Sequence, residues 1–175
     1  GLNLGIDFKG GIAMQVRAKQ GNANLEELRS VVGGLGVGEV SLQEFGDPTT
    51  ALIRIQRQSG GAQCVAGAQK VMQARAGAGW TVKPGAAGTG DVEFTAPGPL
   101  DAVSWRDSIS RVGLTVQERQ LPRGTVNVAK IDMSTEQQAE WCQQVAIKQV
   151  EDAIGAKYEM RGTESVGPKI GEELM

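Results

Sequence analysis

Apolar and polar residues alternate near the start of the chain, with Ile12, Met14 and Val16 on one side and Ala13, Gln15 and Arg17 on the other. Successive side chains of a strand point to opposite faces, so this period of two predicts a half-buried strand. The period then changes. Leu25, Leu28, Val32 and Leu35 share one helical stripe that Asn24 can cap, and the glycine-rich stretch 33–38 ends it. Strands over 40–45 and 51–57 follow, joined by Gly46, Asp47, Pro48 and Thr49, residue types that suit a tight turn. A helix over 62–76, with Val65, Ala68 and Met72 aligned, leads to a short strand over 80–83. The order so far is βαββαβ.

A stretch without anchoring side chains comes next, Pro84, Gly85, Ala86, Ala87, Gly88, Thr89 and Gly90, which has the composition of a linker or long turn. Beyond it the pattern predicts a strand over 92–95, a helix over 100–112 with Ala102, Trp105, Ile109 and Val112 in line, and strands over 114–119 and 125–131. Ser134 and Gln137 have the spacing of a capping box, opening a long helix that turns Ala139, Cys142, Ala146, Val150 and Ala153 inward. A strand over 157–166 closes the second series, again βαββαβ. This order is the split-βαβ arrangement, so the expected class is α+β: two ferredoxin-like modules, each with helices on one face of an antiparallel sheet. Short connections favour a tandem pair, 1–84 and 91–175, with 85–90 as linker or turn. The same string also allows a nested pair, in which the last helix and strand complete the first sheet.

Composition narrows the function. The chain has 175 residues, 18 basic against 20 acidic, a net charge of −2 and no histidine. That balance gives no drive toward a phosphate backbone, which argues against a nucleic-acid partner. Without histidine, the commonest general base and the commonest metal ligand are missing. No apolar run approaches the roughly 20 residues of a membrane span, and the start lacks the regions of a signal peptide. The beginning without Met and the ending at Met175 point to a segment excised from a longer protein. Cys64 and Cys142 sit at helical spacing among apolar residues, which favours two buried thiols; a bridge would require Cα atoms within about 7 Å.

A search for chemistry finds no metal-ligand, phosphate-loop or nucleophile motif. The acidic neighbours Glu26 and Glu27, Glu151 and Asp152, and Glu172 and Glu173 diverge on a helix, so solvated faces account for them. Trp80, Trp105 and Trp141 read as core or interface anchors, Trp105 most clearly because it continues an apolar stripe. Catalytic, cofactor and metal residues are therefore none.

The opening Gly5, Ile6, Asp7, Phe8, Lys9, Gly10, Gly11 and the closing Val166, Gly167, Pro168 resemble the SecF family, in which such segments follow one membrane helix and precede the next. Ile6 and Phe8 set the resemblance toward SecF and away from the related SecD. It covers the two ends of the chain; the length between them is about twice what one βαββαβ unit needs. On the residues themselves, Gly10 and Gly11 fit backbone with positive φ or close packing, Asp7 a turn acceptor, and Pro168 the end of a strand. The resemblance implies a further role for Gly5, Asp7, Phe8, Gly10, Gly11, Val166, Gly167 and Pro168, coupling the domain to membrane helices. It implies a periplasmic domain of a protein embedded in the bacterial inner membrane, not an enzyme. Its partners would be SecD, the SecYEG channel, YajC and the translocating polypeptide, in export driven by the proton gradient. Two rivals share the predicted shape. A free-standing periplasmic module for a small ligand or peptide would have a closed apolar pocket and distant chain ends. An acylphosphatase-like enzyme would need Arg and Asn at the first turn, where this chain has Asp7 and Lys9.

Overall fold

The computed structural model describes residues 10–86 and 90–166. The elements, in order, are β1 (Gly11–Ala18), α1 (Leu25–Gly33), β2 (Val40–Phe45), β3 (Asp47–Gln56), α2 (Ala62–Ala76), β4 (Thr81–Pro84), β5 (Val92–Leu100), α3 (Ala102–Ser110), a 3-10 turn (Glu118–Gln120), β6 (Val126–Ile131), α4 (Thr135–Ile154) and β7 (Tyr158–Val166). The class is α+β with two antiparallel sheets, one of four strands in the order β2-β3-β1-β7 and one of three in the order β4-β5-β6.

The chain divides into two compact units, one formed by 1–58 together with 150–175 and the other by 59–149. This differs from the tandem division expected at 84–91, and the reason is visible in the pairing. On either side of this stretch β4 and β5 pair directly: Pro84 lies opposite Val92, and Gly85 N donates to Asp91 O at 2.7 Å. A glycine-rich stretch serves a turn as well as a linker, and composition does not distinguish them. The last strand, β7, lies against β1 and so belongs to the first sheet.

In unit 1 the period of two organises the core. Ile12 pairs with Ile55, Met14 with Ile53 and Val16 with Ala51 across β1 and β3, and all six side chains are buried. Each large aliphatic group removed from water contributes about 1.5–3 kcal/mol. Leu28 and Val32 of α1 and Val150 and Ile154 of α4 are buried as well. On the other face, Gln15, Leu52 and Arg54 are half-buried, while Arg17, Ser41 and Gln43 are exposed. The strand order is that of a split-βαβ unit whose last strand arrives after the whole of 59–149.

Unit 2 has its own core, which includes Val65, Met72, Trp80, Phe94, Trp105, Ile109, Trp141 and Val145. The rings of Trp80 and Trp105 meet edge to face, centroids 5.6 Å apart. The expected strand over 114–119 is not one: Leu114 and Val116 are buried, yet the backbone joins no ladder. Side chains hold it instead. Trp141 Nε1 donates to Val112 O at 3.0 Å and Gln137 Nε2 to Thr115 O at 2.9 Å. Among the described residues the second sheet thus holds neither the strand expected over 114–119 nor that over 157–166, and gains β4, which was expected in the first module. Cys64 and Cys142 are joined in a disulfide, with Cα atoms 5.5 Å apart. They are as buried as their spacing predicts, but bonded and not two free thiols.

Candidate functional site

Gly11 and Val166, one residue from each sequence motif, meet at one end of the first sheet. Gly11 opens β1, an inner strand, and pairs with Gln56 of β3 on one side and Val166 of β7 on the other. Gly10 and Gly11 are buried and have φ of 97° and 142°, values an L side chain rarely adopts. A Cβ on Gly11 would run into Ile55 O and lie 2.8 Å from Gln56 C and 2.9 Å from Arg57 N. The glycine therefore permits the backbone of β3 to close against the start of β1.

Adjacent strands are about 4.7–4.9 Å apart. Because β1 begins at Gly11 and β7 runs antiparallel to Val166 beside it, both connections leave from the same end of the sheet. Of the residues singled out in the sequence, Gly11 and Val166 are brought together and Gly10 adjoins them. Gly5, Asp7, Phe8, Gly167 and Pro168 lie outside the described residues.

The opposite end is braced. Asn24 Oδ1 accepts from Glu27 N at 3.0 Å, capping α1, while Asn24 N donates to the Tyr158 hydroxyl at 2.9 Å. Lys19 Nζ donates to Gly155 O at 2.8 Å, Lys19 N to Lys157 O at 2.9 Å, and Ala23 N to Pro48 O at 2.9 Å. Lys157 and Glu27 form an ion pair at 3.0 Å. The β2–β3 hairpin turns here. Asp47 accepts from the hydroxyl and the backbone N–H of Thr49, and these bonds, helped by Arg17, hold its carboxyl below the usual range. Phe45 beside it is 42% exposed, one of the few large apolar side chains left to solvent among the described residues.

Among the described residues no group of three His, Cys, Asp or Glu side chains could hold a metal ion. Among the described residues, Asp47 and Asp101 have carboxyls lowered by hydrogen bonds at a turn and a helix cap, the reverse of a tuned general acid. Among the described residues no helix is long and apolar enough to cross a membrane. What remains is a sheet held at one end by two neighbouring strands. The element the sequence did not reveal is the Cys64–Cys142 bridge; its only signal was the placement of both cysteines on apolar helical stripes.

The family described as SecD/SecF GG Motif matches residues 1–21. Of that stretch, Gly10 and Gly11 are described, and Gly11 opens an inner strand of the first antiparallel sheet. The protein translocase subunit SecF of Calditerrivibrio nitroreducens is 49% identical over 55 residues, 31% of this chain and 18% of that protein. That of Rickettsia bellii is 47% identical over 58 residues, 33% and 19% of the two chains. That of Rickettsia akari is 50% identical over 53 residues, 30% and 17%. Over about a third of its length, then, the chain is similar to SecF subunits. The match spans less than a fifth of the length of these curated relatives, and no solved structure matches the chain.

Proposed function

We propose that this chain is the periplasmic part of a SecF subunit in the bacterial inner membrane, acting with SecD in the late, proton-gradient-driven steps of polypeptide export through the Sec machinery. The pairing of Gly11 with Val166 carries the reading. A domain inserted between two membrane helices must send both ends back to one surface, and adjacent antiparallel strands do so directly. A free-standing binding module has no such requirement. The disulfide adds independent support, because such bonds persist in oxidising compartments such as the periplasm and are rare in the cytosol.

In this role the chain is a conformational and binding module, not an enzyme. Proton-carrying groups would lie in the membrane helices of the parent, and the SecYEG channel, YajC and the emerging polypeptide would be its other partners. Gly5, Asp7, Phe8, Gly10, Gly11, Val166, Gly167 and Pro168 would form the coupling segment that transmits movement of those helices to the sheet. The test is a parent protein in which residues 10–166 are replaced by a short Gly/Ser linker, expressed in host cells as the sole copy. Accumulation of unprocessed secretory precursors is the expected result. Export at the normal rate, with the shortened parent present in the membrane at normal abundance, would refute the role.

A further inference from the structure

The bridge in unit 2 joins two sulfurs in unlike surroundings. Cys64 lies in the first turn of α2, and Cys142 lies well inside α4. Cys64 is 8% exposed and Cys142 2%. The start of α2 is weakly secured: Gly61 at the N-cap has φ 78° and offers no side-chain cap. Nothing lies within 4 Å of a Cβ placed on Gly61, and Ser59, Gly61, Ala62 and Gln63 are exposed. An uncapped first turn opens at a small fraction of the cost of global unfolding. Such opening uncovers Cys64 and leaves Cys142 within the core formed with Trp141 and Val145.

The same placement sets reactivity in the reduced chain. The N–H groups of a helix N-terminus stabilise an anion, so they favour the Cys64 thiolate. Cys142, mid-helix and more deeply buried, has neither that field nor access to solvent.

We propose that Cys64 is the sulfur through which thiol–disulfide exchange reaches this chain, and that the chain is a substrate for a dithiol oxidoreductase in its disulfide form. The Cys64 thiolate attacks one sulfur of the oxidant, forming a mixed disulfide and releasing the oxidant's other sulfur as a thiolate. Cys142, deprotonated to solvent, then attacks Cys64 Sγ. The Cys64–Cys142 bond forms and the oxidant's remaining sulfur leaves as a thiolate. Two electrons pass from the chain to the oxidant, which ends as a dithiol carrying two protons. Reduction follows the same route backwards, the incoming thiolate attacking Cys64 Sγ and Cys142 departing. The proposal rests on the bridge and its surroundings, so its failure would leave the Gly11–Val166 pairing, which carries the export role, untouched.

Limiting reduced glutathione added to the folded, oxidised chain, followed by acid quench, alkylation and peptide mass mapping, tests the route. Glutathione on Cys64 with the alkyl group on Cys142 is expected; glutathione on Cys142 overturns the assignment. So does a chain that carries two free thiols after isolation from the periplasm. Two variants separate local access from general instability. Cys142→Ala leaves Cys64, which should react with Ellman's reagent about tenfold faster than the Cys142 left by Cys64→Ala. Equal rates would count against it. Ala62→Pro places proline at the first helical position, where it reinforces a helix start. It should slow glutathione attack severalfold with the bridge intact, and an unchanged rate would rule out entry through the first turn of α2.

Discussion

Gly11 of β1 and Val166 of β7 are partners in one ladder, although they stand near opposite ends of the sequence. The chain thus enters and leaves the first sheet at a single place. Gln56 of β3 also pairs with Gly11, so the connection to residues 59–149 starts from the same end. Three of the chain's passages converge there, and the opposite end carries the hairpin and the hydrogen bonds around Asn24, Lys19 and Tyr158.

The first expectation follows from the space around Gly11. Gly11→Ala forces a methyl group into the Ile55–Arg57 backbone and a β-carbon onto a φ of 142°. No flexible side chain can move aside, so the cost should be about 3 kcal/mol or more. Hydrogen exchange at the Ile12, Met14 and Val16 amides should accelerate roughly a hundredfold. Gly162→Ala is the control, because nothing lies within 4 Å of a Cβ there, and it should change stability by no more than about 0.5 kcal/mol. Equal effects at the two sites would contradict the packing argument.

Much of unit 1 was legible because its signals are local. Alternation placed β1, the Asn24 cap and its stripe placed α1, and the glycine at 46 marked the β2–β3 hairpin, although Asp47 and Pro48, expected in the turn, lie within β3. The motif glycines were legible as backbone positions needing positive φ, and Gly10 and Gly11 have it. The division of the chain was not legible, because a strand's partner depends on residues far along the sequence. β7 has the same alternating character whether it closes the second sheet or the first. The segment over 114–119 misled for a related reason. Leu114 and Val116 are buried on a period of two, but Trp141 and Gln137 take the carbonyls of Val112 and Thr115 in place of a neighbouring strand. Ser134 does cap α4 through Gln137 N at 3.1 Å, while the Gln137 side chain is committed elsewhere.

That commitment leads to a second expectation. Gln120 is 8% exposed and donates to Asp132 O at 2.9 Å and to Gln137 Oε1 at 2.7 Å, while its own Oε1 accepts from Gln117 N at 2.8 Å. Gln120→Ala strands these partners in a partly buried place, where each unsatisfied group costs about 1–3 kcal/mol. The unfolding free energy of unit 2 in urea, followed by tryptophan fluorescence, should fall by an amount of that order, and the midpoint with it. A midpoint equal to wild type would show that water replaces the amide without penalty.

A third concerns pH. Asp101 accepts from Ser104 N at 2.9 Å at the start of α3, and this bond holds its carboxyl below the usual value. A group whose pKa is lower in the folded than in the unfolded chain stabilises the fold above the unfolded pKa, about 3.9 for Asp. That contribution is lost as pH falls through the folded pKa. The cap should therefore weaken in acid and be indifferent to alkaline pH. Asp101→Asn keeps an acceptor and removes the titration, so the acid limb of the stability profile should flatten. The change should be small, because the carboxyl is exposed, and a steeper acid limb in the variant would reverse the assignment.

The bridge supports a final expectation, independent of which sulfur reacts first. Cys64 and Cys142 are separated by 78 residues, almost the whole of unit 2. Opening a loop of that length releases chain entropy in the unfolded state worth about 4 kcal/mol in the loop-closure account, with less observed where the unfolded chain keeps structure. All three tryptophans, Trp80, Trp105 and Trp141, lie in that unit. Their fluorescence therefore reports its unfolding and little else. Reduction, or the double change Cys64→Ala with Cys142→Ala, should shift the fluorescence transition to much lower denaturant, while exchange at the β1 amides of unit 1 changes far less. If the transition does not move, packing around Trp105 and Trp141 is sufficient to hold the unit, and the bridge serves exchange chemistry more than stability.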